Sequence, residues 1–508
     1  MSALILSHDI GTTGDKATLF RDDGTLVAAS FAAYPTRYPK PGWAEQDPQD
    51  YWAAFCRSTR ELLQASGRAA TEIAAVAFSG QMMAALAVDR EGSPLRPSII
   101  WADVRATRET EELGRKVPAS RVYAITGHKL SPSYAVEKIL WIRANEPDVY
   151  RRAAKFIQAK DFLALRLTDR MCSDYSDASG WNLFDITSLR WSDEILEASG
   201  ISPSLLPDLF ESIDVVGKVT VEAAAASGLA QGTPVVIGAS DGACATCGSG
   251  VVKEGDAYLC LGTSTWMATA SRRPFFDPQE RTSTFLHYVR GLYQPCGSMQ
   301  AGGGSFKWFR DTLGDPEHAA AAQSAGDAYQ ILAEKACATP PGAEGLLFLP
   351  YLMGERSPWW NPAARGCFVG LSMRHGKGHL IRAVLEGVAY NMRIIADSFA
   401  GQGMRPSVMR IIGGAAKSGP WRQIFADVLE MPVAMLNFRD EATSVGAAIA
   451  GGVGVGIFSN IEEAARIVKV TETTSPDPSR YPVYRRMYPV FQKTYQQLRP
   501  VFDSLASD

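Results

Sequence analysis

The chain has 508 residues, and at about 150 residues per domain that length predicts two to four domains, each able to bury its own core. Apolar residues make up 46% and charged residues 21%, an ordinary globular balance that excludes a disordered or fibrous chain. With 51 Lys plus Arg against 54 Asp plus Glu the net charge is −3, so there is no long-range field to grip a polyanion, and nucleic acid is not an expected partner.

The chain opens MSALILSHDI, and Ser7, His8 and Asp9 break its apolar stretch before it could form the core of a signal peptide, which predicts a cytoplasmic protein. Leu4 to Leu6, a Gly11-Thr12-Thr13 turn, Lys16 to Phe20, an Asp22-Asp23-Gly24 turn and Leu26 to Ala28 read as a strand meander. Apolar positions recur at helical spacing between Tyr51 and Ala65, and Ile73 to Phe78 is a buried-strand run ending at Ser79-Gly80. Helix followed by strand predicts an α/β layer. The same grammar returns in the second half, where Val235 to Gly238 and Ala257 to Leu261 are strands and the latter runs into Gly262-Thr263-Ser264-Thr265. Gly11 and Gly262 lie about half a chain apart, each opening a hydroxyl-bearing turn at the end of an apolar strand, which suggests two similarly built halves packed across a cleft. Ile411-Ile412, a Gly413-Gly414 turn and a helix through Trp421, Ile424, Phe425, Val428 and Leu429 follow. The apolar run from Gly446 to Phe458 is short and glycine-rich, so no membrane span is expected. The eight cysteines are irregularly spaced and expected as thiols, with Cys244 and Cys247 part of a packed helix start.

Asp9-Ile-Gly-Thr-Thr-Gly-Asp-Lys16 sets a carboxylate at a strand end, amides and hydroxyls in a tight turn, and a lysine on the return strand. Phosphate recognition uses those groups, with an acid to hold Mg²⁺ through water; an ordinary hairpin turn is the alternative. Gly262-Thr263-Ser264 repeats the chemistry, and two such turns would clamp one polyphosphate from both sides. Asp241, just past a buried strand, is either a helix N-cap or a general base facing the cleft. The turn at Gly413-Gly414 lets a flat ring lie against backbone. Trp101-Ala-Asp103-Val-Arg105 suits a sugar, with an aromatic face and hydroxyl-binding groups, or is a salt bridge beside a core tryptophan. His375 and His379 have the spacing of metal ligands, but Gly376 and Gly378 argue against the helix that would pair them.

Taken together these motifs resemble the FGGY carbohydrate kinases, closest to the xylulose kinase branch. The resemblance also runs through Gly42 to Pro48, Ser79 to Met82, Lys160 to Phe162 with Ser173 to Gly180, Leu349 to Pro358, Arg382 to Gly387 and Gly413 to Val433. It implies two actin-like ATPase (ribonuclease H-like) α/β domains flanking a central cleft, drawn here as 1–232 and 233–508, with the last helix packing back on the N-terminal domain. It further implies ATP and Mg²⁺ in the cleft and γ-phosphoryl transfer to a small sugar. Carried onto this sequence, Asp241 resembles the catalytic base and, with Asp9, the metal-placing acids. Gly11, Thr12, Thr13 and Lys16, with Gly262, Thr263 and Ser264, match the phosphate turns. Gly303, Lys307, Gly413, Gly414 and Ser418 match the nucleoside side. Gln81, Met82, Met83, Trp101, Asp103, Asp241 and Gly242 lie where the family binds sugar.

Two departures fall on the sugar side. Xylulose kinases carry Met-His-Gly where this chain has Met82-Met83-Ala84, and Asp-Asn where it has Asp241-Gly242. The expected order of acceptors is D-xylulose or a related ketose, then gluconate, then a shorter polyol or ketotetrose. A non-sugar actin-like ATPase is the rival from another class, and a homodimer is left open.

Overall fold

A computed structural model describes residues 3–324 and 327–506. The first half is built on β1 (Leu4–Ile10), β2 (Gly14–Arg21), β3 (Leu26–Ala33), β4 (Ile73–Gly80), β5 (Val215–Lys218) and β6 (Pro234–Ser240), with α1 (Pro48–Ser66) packed on one face. In β1 every side chain but Asp9 is buried, as expected of a strand covered on both faces. The sheet order is β5-β6-β4-β1-β2-β3; β1, β4 and β6 are parallel, and the hairpin partners are antiparallel. Register sets Asp9 beside Ser79 and Gly80 beside Ser240. The carboxyl ends of three parallel strands therefore share one edge, where α/β sheets place their ligands.

After α2 (Asp241–Gly248) the chain builds a second sheet from β7 (Ala257–Leu261), β8 (Thr265–Thr269), β9 (Ser283–Leu286), β10 (Tyr293–Met299), β11 (Met409–Ile412), β12 (Val433–Leu436) and β13 (Val470–Thr474). Its order is β9-β10-β8-β7-β11-β12-β13, with β7, β11 and β12 parallel and the rest antiparallel. Apart from the edge strand β9, this is the pairing of the first sheet again, which is the repetition the two glycine turns suggest. The boundary drawn after residue 232 falls inside the first sheet, because β6 pairs with β4 and β5 there.

The helices of the second half include α3 (Gly302–Leu313), α4 (Lys377–Gly401), α5 (Gly419–Leu429), α6 (Ala442–Gly454) and α7 (Tyr481–Leu505). Among the described residues the apolar face of the terminal helix α7 packs on the second domain, not back on the first. Tyr484, Met487, Phe491, Tyr495 and Phe502 join the second domain's core with α4 and α5, and the Tyr484 hydroxyl accepts from Arg382 (2.9 Å) and donates to Glu386 (3.0 Å). The helix α4 starts at Lys377, so Gly378 is helical after all; His379 turns back to accept from the Gly376 amide (3.1 Å), and His375 accepts from that of Ser372 (2.9 Å).

What joins the halves is the crossing of α2 with α6, and α6 also packs on β1, β4 and β6. A Cβ at Gly446 would stand 2.0 Å from the Cys244 carbonyl oxygen, and one at Gly248 would stand 1.8 Å from that of Ala442. Backbone touches backbone there, so only glycine fits. Cys244 and Cys247 lie buried in this crossing, where desolvation pushes the Cys247 thiol up to about 12. Gly446→Ala should force the helices apart at a cost of about 1–3 kcal/mol or more, read as a lowered urea midpoint. A midpoint equal to the parent's would mean that the crossing has slack. No helix among the described residues is long and apolar enough to cross a membrane.

Candidate active site

Asp241 is the first residue of α2, and the capping role belongs to its neighbour: the Ser240 hydroxyl accepts from the Ala243 amide (3.4 Å). The Asp241 carboxylate is thus free of helix capping and, among the described residues, accepts only from its own neighbour's amide, Gly242 (2.7 Å). Burial, then repulsion from Asp9, pushes its pKa up to about 7, where a general base works best near neutral pH. Asp9 ends β1 two strands away, on the order of 10 Å at the usual interstrand spacing. Its oxygens accept from Ser79 (2.8 Å) and from Thr443 at the start of α6 (2.6 Å). Burial raises the Asp9 pKa and those two hydroxyls pull against the rise. Thr443 escaped the sequence reading because it lies more than four hundred residues from its partner.

The first glycine turn is closed by the Gly11 amide on the Gly14 carbonyl (3.0 Å) and braced from behind. Gln46 donates to the Thr12 carbonyl (2.7 Å), Trp101 Nε1 donates to the Thr12 hydroxyl (2.9 Å), and Tyr34 donates to the Gly11 carbonyl. Thr13 stays exposed, and Lys16 reaches across to the Asp440 carbonyl (3.1 Å) and Glu441 (3.4 Å). The second turn carries α3 directly on top of it: Gly303 and Gly304 amides donate to the Gly262 and Thr263 carbonyls (2.8 and 2.9 Å). A Cβ at Gly303 would fall 2.3 Å from the Gly262 oxygen. Thr263 and Ser264 side chains are exposed. Gly413, at φ +91°, lies against the end of β7, where a Cβ would meet the Leu261 oxygen at 2.7 Å. Gly414 beside it is exposed. Two expected nucleoside-side groups are engaged locally instead. Lys307 is exposed and pairs with Asp311 one turn on (2.5 Å), and the Ser418 hydroxyl caps α5 on the Trp421 amide (3.4 Å).

Among the residues expected to face the sugar, Met83 is partly exposed and held at φ +68°, an unusual conformation for a side chain of its size. Its carbonyl accepts from Lys138 (2.7 Å), a fully buried lysine that also donates to Ser133 (2.5 Å) and whose pKa burial pushes down to about 7. Sequence reading passed over Lys138, although a lysine inside the apolar helical run from Ala135 to Ile142 was the available signal. Met82 is buried under Gly180. Gln81 is buried and donates to Gln46 (2.7 Å), so it braces the first glycine turn, while its Oε1 has no partner among the described residues. Asp103 does not offer an oxygen to a sugar: fully buried, it accepts from Ala44 N (2.6 Å) and, through both oxygens, from the Arg105 guanidinium. Gly242 leaves room beside Asp241, and Gln294 from β10 fills it, donating to the Gly242 carbonyl (3.2 Å) while its buried Oε1 has no partner among the described residues.

Residues 4–248 match the N-terminal domain, and 257–455 the C-terminal domain, of the FGGY family of carbohydrate kinases. The chain belongs to that family. It is 34% identical over 98% of its length to the whole of the xylulose kinase of Escherichia coli (strain K12). It is 32% identical over its full length to 98% of the gluconokinase of Bacillus subtilis (strain 168). The solved gluconate kinase from Lactobacillus acidophilus superimposes with a TM-score of 0.92 at 27% identity, each chain covered completely. This FGGY kinase is therefore an ATP-dependent carbohydrate kinase with the two-domain α/β fold of the actin-like ATPases. The donor set at the cleft also fits Mg²⁺, which binds through one or two carboxylates plus phosphate oxygens and water. Asp9 and Asp241 are two partly buried carboxylates, each with a raised pKa, and Asp9 adds to the rise at Asp241.

Proposed function

We propose that this FGGY kinase transfers the γ-phosphoryl group of Mg-ATP to a hydroxyl of D-xylulose or a related ketose, with Asp241 as general base. The observation that carries this reading is the Asp241 carboxylate, uncapped, raised to about 7, at the start of α2 and facing the acid at the end of β1. In this reading Asp9 and Asp241 hold Mg²⁺, which when bound neutralises developing charge on the phosphates. Thr13, Lys16, Thr263 and Ser264 take the phosphates, and Gly413-Gly414 gives the adenosine a backbone wall. Trp101 covers the C–H face of the sugar and fixes Thr12 through its indole. Asp241 accepts the hydroxyl proton as the phosphoryl group arrives.

Gluconate is the second reading, favoured by the guanidinium of Arg356, which lies beside the Trp101 ring and could take a carboxylate there. Coupled ADP release across ketoses, polyols and sugar acids decides between them. Sugar-independent ATP hydrolysis with no acceptor in the panel would reject both.

The sugar ranking should respond to positions 83 and 242 while the ATP KM should not. Met83→His with Gly242→Asn adds an imidazole and an amide toward the ketose hydroxyls. If D-xylulose is a weak substrate, its kcat/KM should rise by about 1–3 kcal/mol of transition-state stabilisation. A new side chain at 242 starts only 3.5 Å from Gln294 Nε2, so Gln294 must rotate first. If D-xylulose is already a good substrate, crowding cancels the gain. A shifted ATP KM with an unchanged sugar ranking would remove both positions from the sugar site.

A further inference from the structure

The loop of residues 350–358 on the second domain carries Arg356 into the cleft, and its backbone is fixed from behind. Ser357 N donates to the Ser298 carbonyl (2.9 Å), and Asn391 donates to that of Ser357 (3.3 Å). Glu355 accepts from the amides of Gln300 and Arg356 (2.8 Å each). From this rigid base the Arg356 side chain crosses to the first domain, its guanidinium carbon 5.4 Å from the centre of the Trp101 ring.

Among the described residues that guanidinium donates no hydrogen bond and has no carboxylate within ion-pair distance. The acids that could have served it are engaged. Glu355 uses one oxygen on the two amides, and burial pushes its pKa up to about 8, so it is largely neutral at pH 7. Asp103 is taken by Arg105 and Ala44. Tyr134 and Lys138 are the polar groups that interact with Arg356 electrostatically from the first domain. The Arg356 side chain is partly buried, and that burial lowers its pKa while Tyr134 and Glu355 pull against the fall. Lys16, by contrast, pairs with Glu441, Arg105 pairs with Asp103 and Glu45, and Lys138 spends its hydrogen bonds on the Met83 and Ser133 carbonyls. A planar guanidinium presents donors as a fork that fits two neighbouring oxygens. Here the fork lies over the indole that braces the first glycine turn through Thr12, and the backbone behind it belongs to the other domain.

We propose that Arg356 is a sugar-contacting residue supplied by the second domain, donating to a pair of adjacent oxygens on the acceptor substrate above Trp101. The substrate then touches both domains and draws the cleft closed. This assignment rests on the kinase reading above. The ligand chemistry is an adjacent oxygen pair, which a ketose offers as vicinal hydroxyls and a sugar acid offers as its carboxylate.

The test compares the parent with Arg356→Met, which keeps the aliphatic stem on Trp101, and Arg356→Lys, which keeps a charge without the fork. Each is assayed for kcat/KM with D-xylulose and with D-gluconate, for affinity toward a non-hydrolysable ATP analogue, and for radius of gyration with and without sugar. Arg356→Met should lower kcat/KM for the accepted sugar by roughly a hundredfold, carried mainly by KM, with lysine restoring only a small part. The affinity for the ATP analogue should stay within twofold, and the sugar-dependent compaction should be lost. A larger loss with D-gluconate identifies the oxygen pair as the carboxylate; a larger loss with D-xylulose identifies it as the diol. If a folded Arg356→Met keeps sugar kcat/KM within threefold of the parent, the assignment is wrong. It is equally wrong if the analogue affinity falls while sugar KM holds, which puts Arg356 on the nucleotide. Should Arg356→Met not fold, the lysine variant decides by the same sugar KM criterion. A parent that turns over no sugar overturns the kinase reading and this assignment together, whereas an active parent with an indifferent variant overturns this assignment alone.

Discussion

Asp241→Asn is expected to cut turnover by a factor on the order of 10² to 10⁴, the usual contribution of a positioned general base, while the protein folds and binds nucleotide. The amide keeps the size of the carboxylate and can still accept from the Gly242 N–H, whereas the Ser240 cap that starts α2 is untouched. Stability provides the control. The folded pKa of Asp241 is raised to about 7, against about 3.9 for a free aspartate, so the native state holds an extra proton between those values. The unfolded chain binds fewer protons there, and stability falls as pH rises through that window. Asparagine has no such penalty, so the variant should melt slightly above the parent at pH 8 and show no such difference at pH 3. Loss of turnover with an equal or higher melting temperature separates chemistry from unfolding. The parent's kcat/KM should also fall toward acid with an apparent pKa near 7, because only the carboxylate can accept the hydroxyl proton. Substantial turnover in the asparagine variant, or a flat profile between pH 5 and 8, would take the role of base away from Asp241.

What could be read from the sequence is what the chain determines locally. The glycine turns after β1 and β7 and the apolar strands ahead of them are legible because alternation, burial and tight-turn chemistry act over a few residues. Asp9 and Asp241 stand out for the same reason, being acids at the ends of buried strands. Asp103 shows the limit of local reading, since nothing in its pentapeptide reveals that Arg105 folds back onto both of its oxygens. The domain boundary misses because β5 and β6 form an antiparallel pair at the edge of the first sheet, and the chain leaves that sheet only through α2. The terminal helix α7 has an aromatic face that periodicity detects, yet periodicity cannot name the surface that receives it. Thr443, Gln294 and Arg356 meet the site only through the crossing of distant segments. Gln294 in particular stands beside Gly242 because β10 runs past α2 in space.

Asp9→Asn should lower turnover on the order of 10² to 10³, the scale of losing one charged group aimed at a reacting phosphate, through Mg-ATP positioning and not through the sugar. Asparagine retains an acceptor for Ser79 or Thr443, and either hydroxyl can rotate to accept from its amide, so the link from β1 to α6 survives. Asp9→Ala, by contrast, strands two hydroxyls at the junction of the halves and should also lower the melting temperature, by about 1–3 kcal/mol of stability. With one acid gone from the pair, the Mg²⁺ concentration for half-maximal rate should rise while sugar KM stays within a few-fold of the parent. A second, independent signature follows from the repulsion between the two acids. Asp9 is the second cause of the raised Asp241 pKa, after burial, and removing its negative charge favours ionised Asp241. The acid limb of the pH profile should therefore move below the parent's, toward lower pH, in Asp9→Asn. An unaltered Mg²⁺ requirement together with an unmoved acid limb would mean that Asp9 serves only to tie β1 to Ser79 and Thr443, leaving the metal to Asp241 and the phosphates.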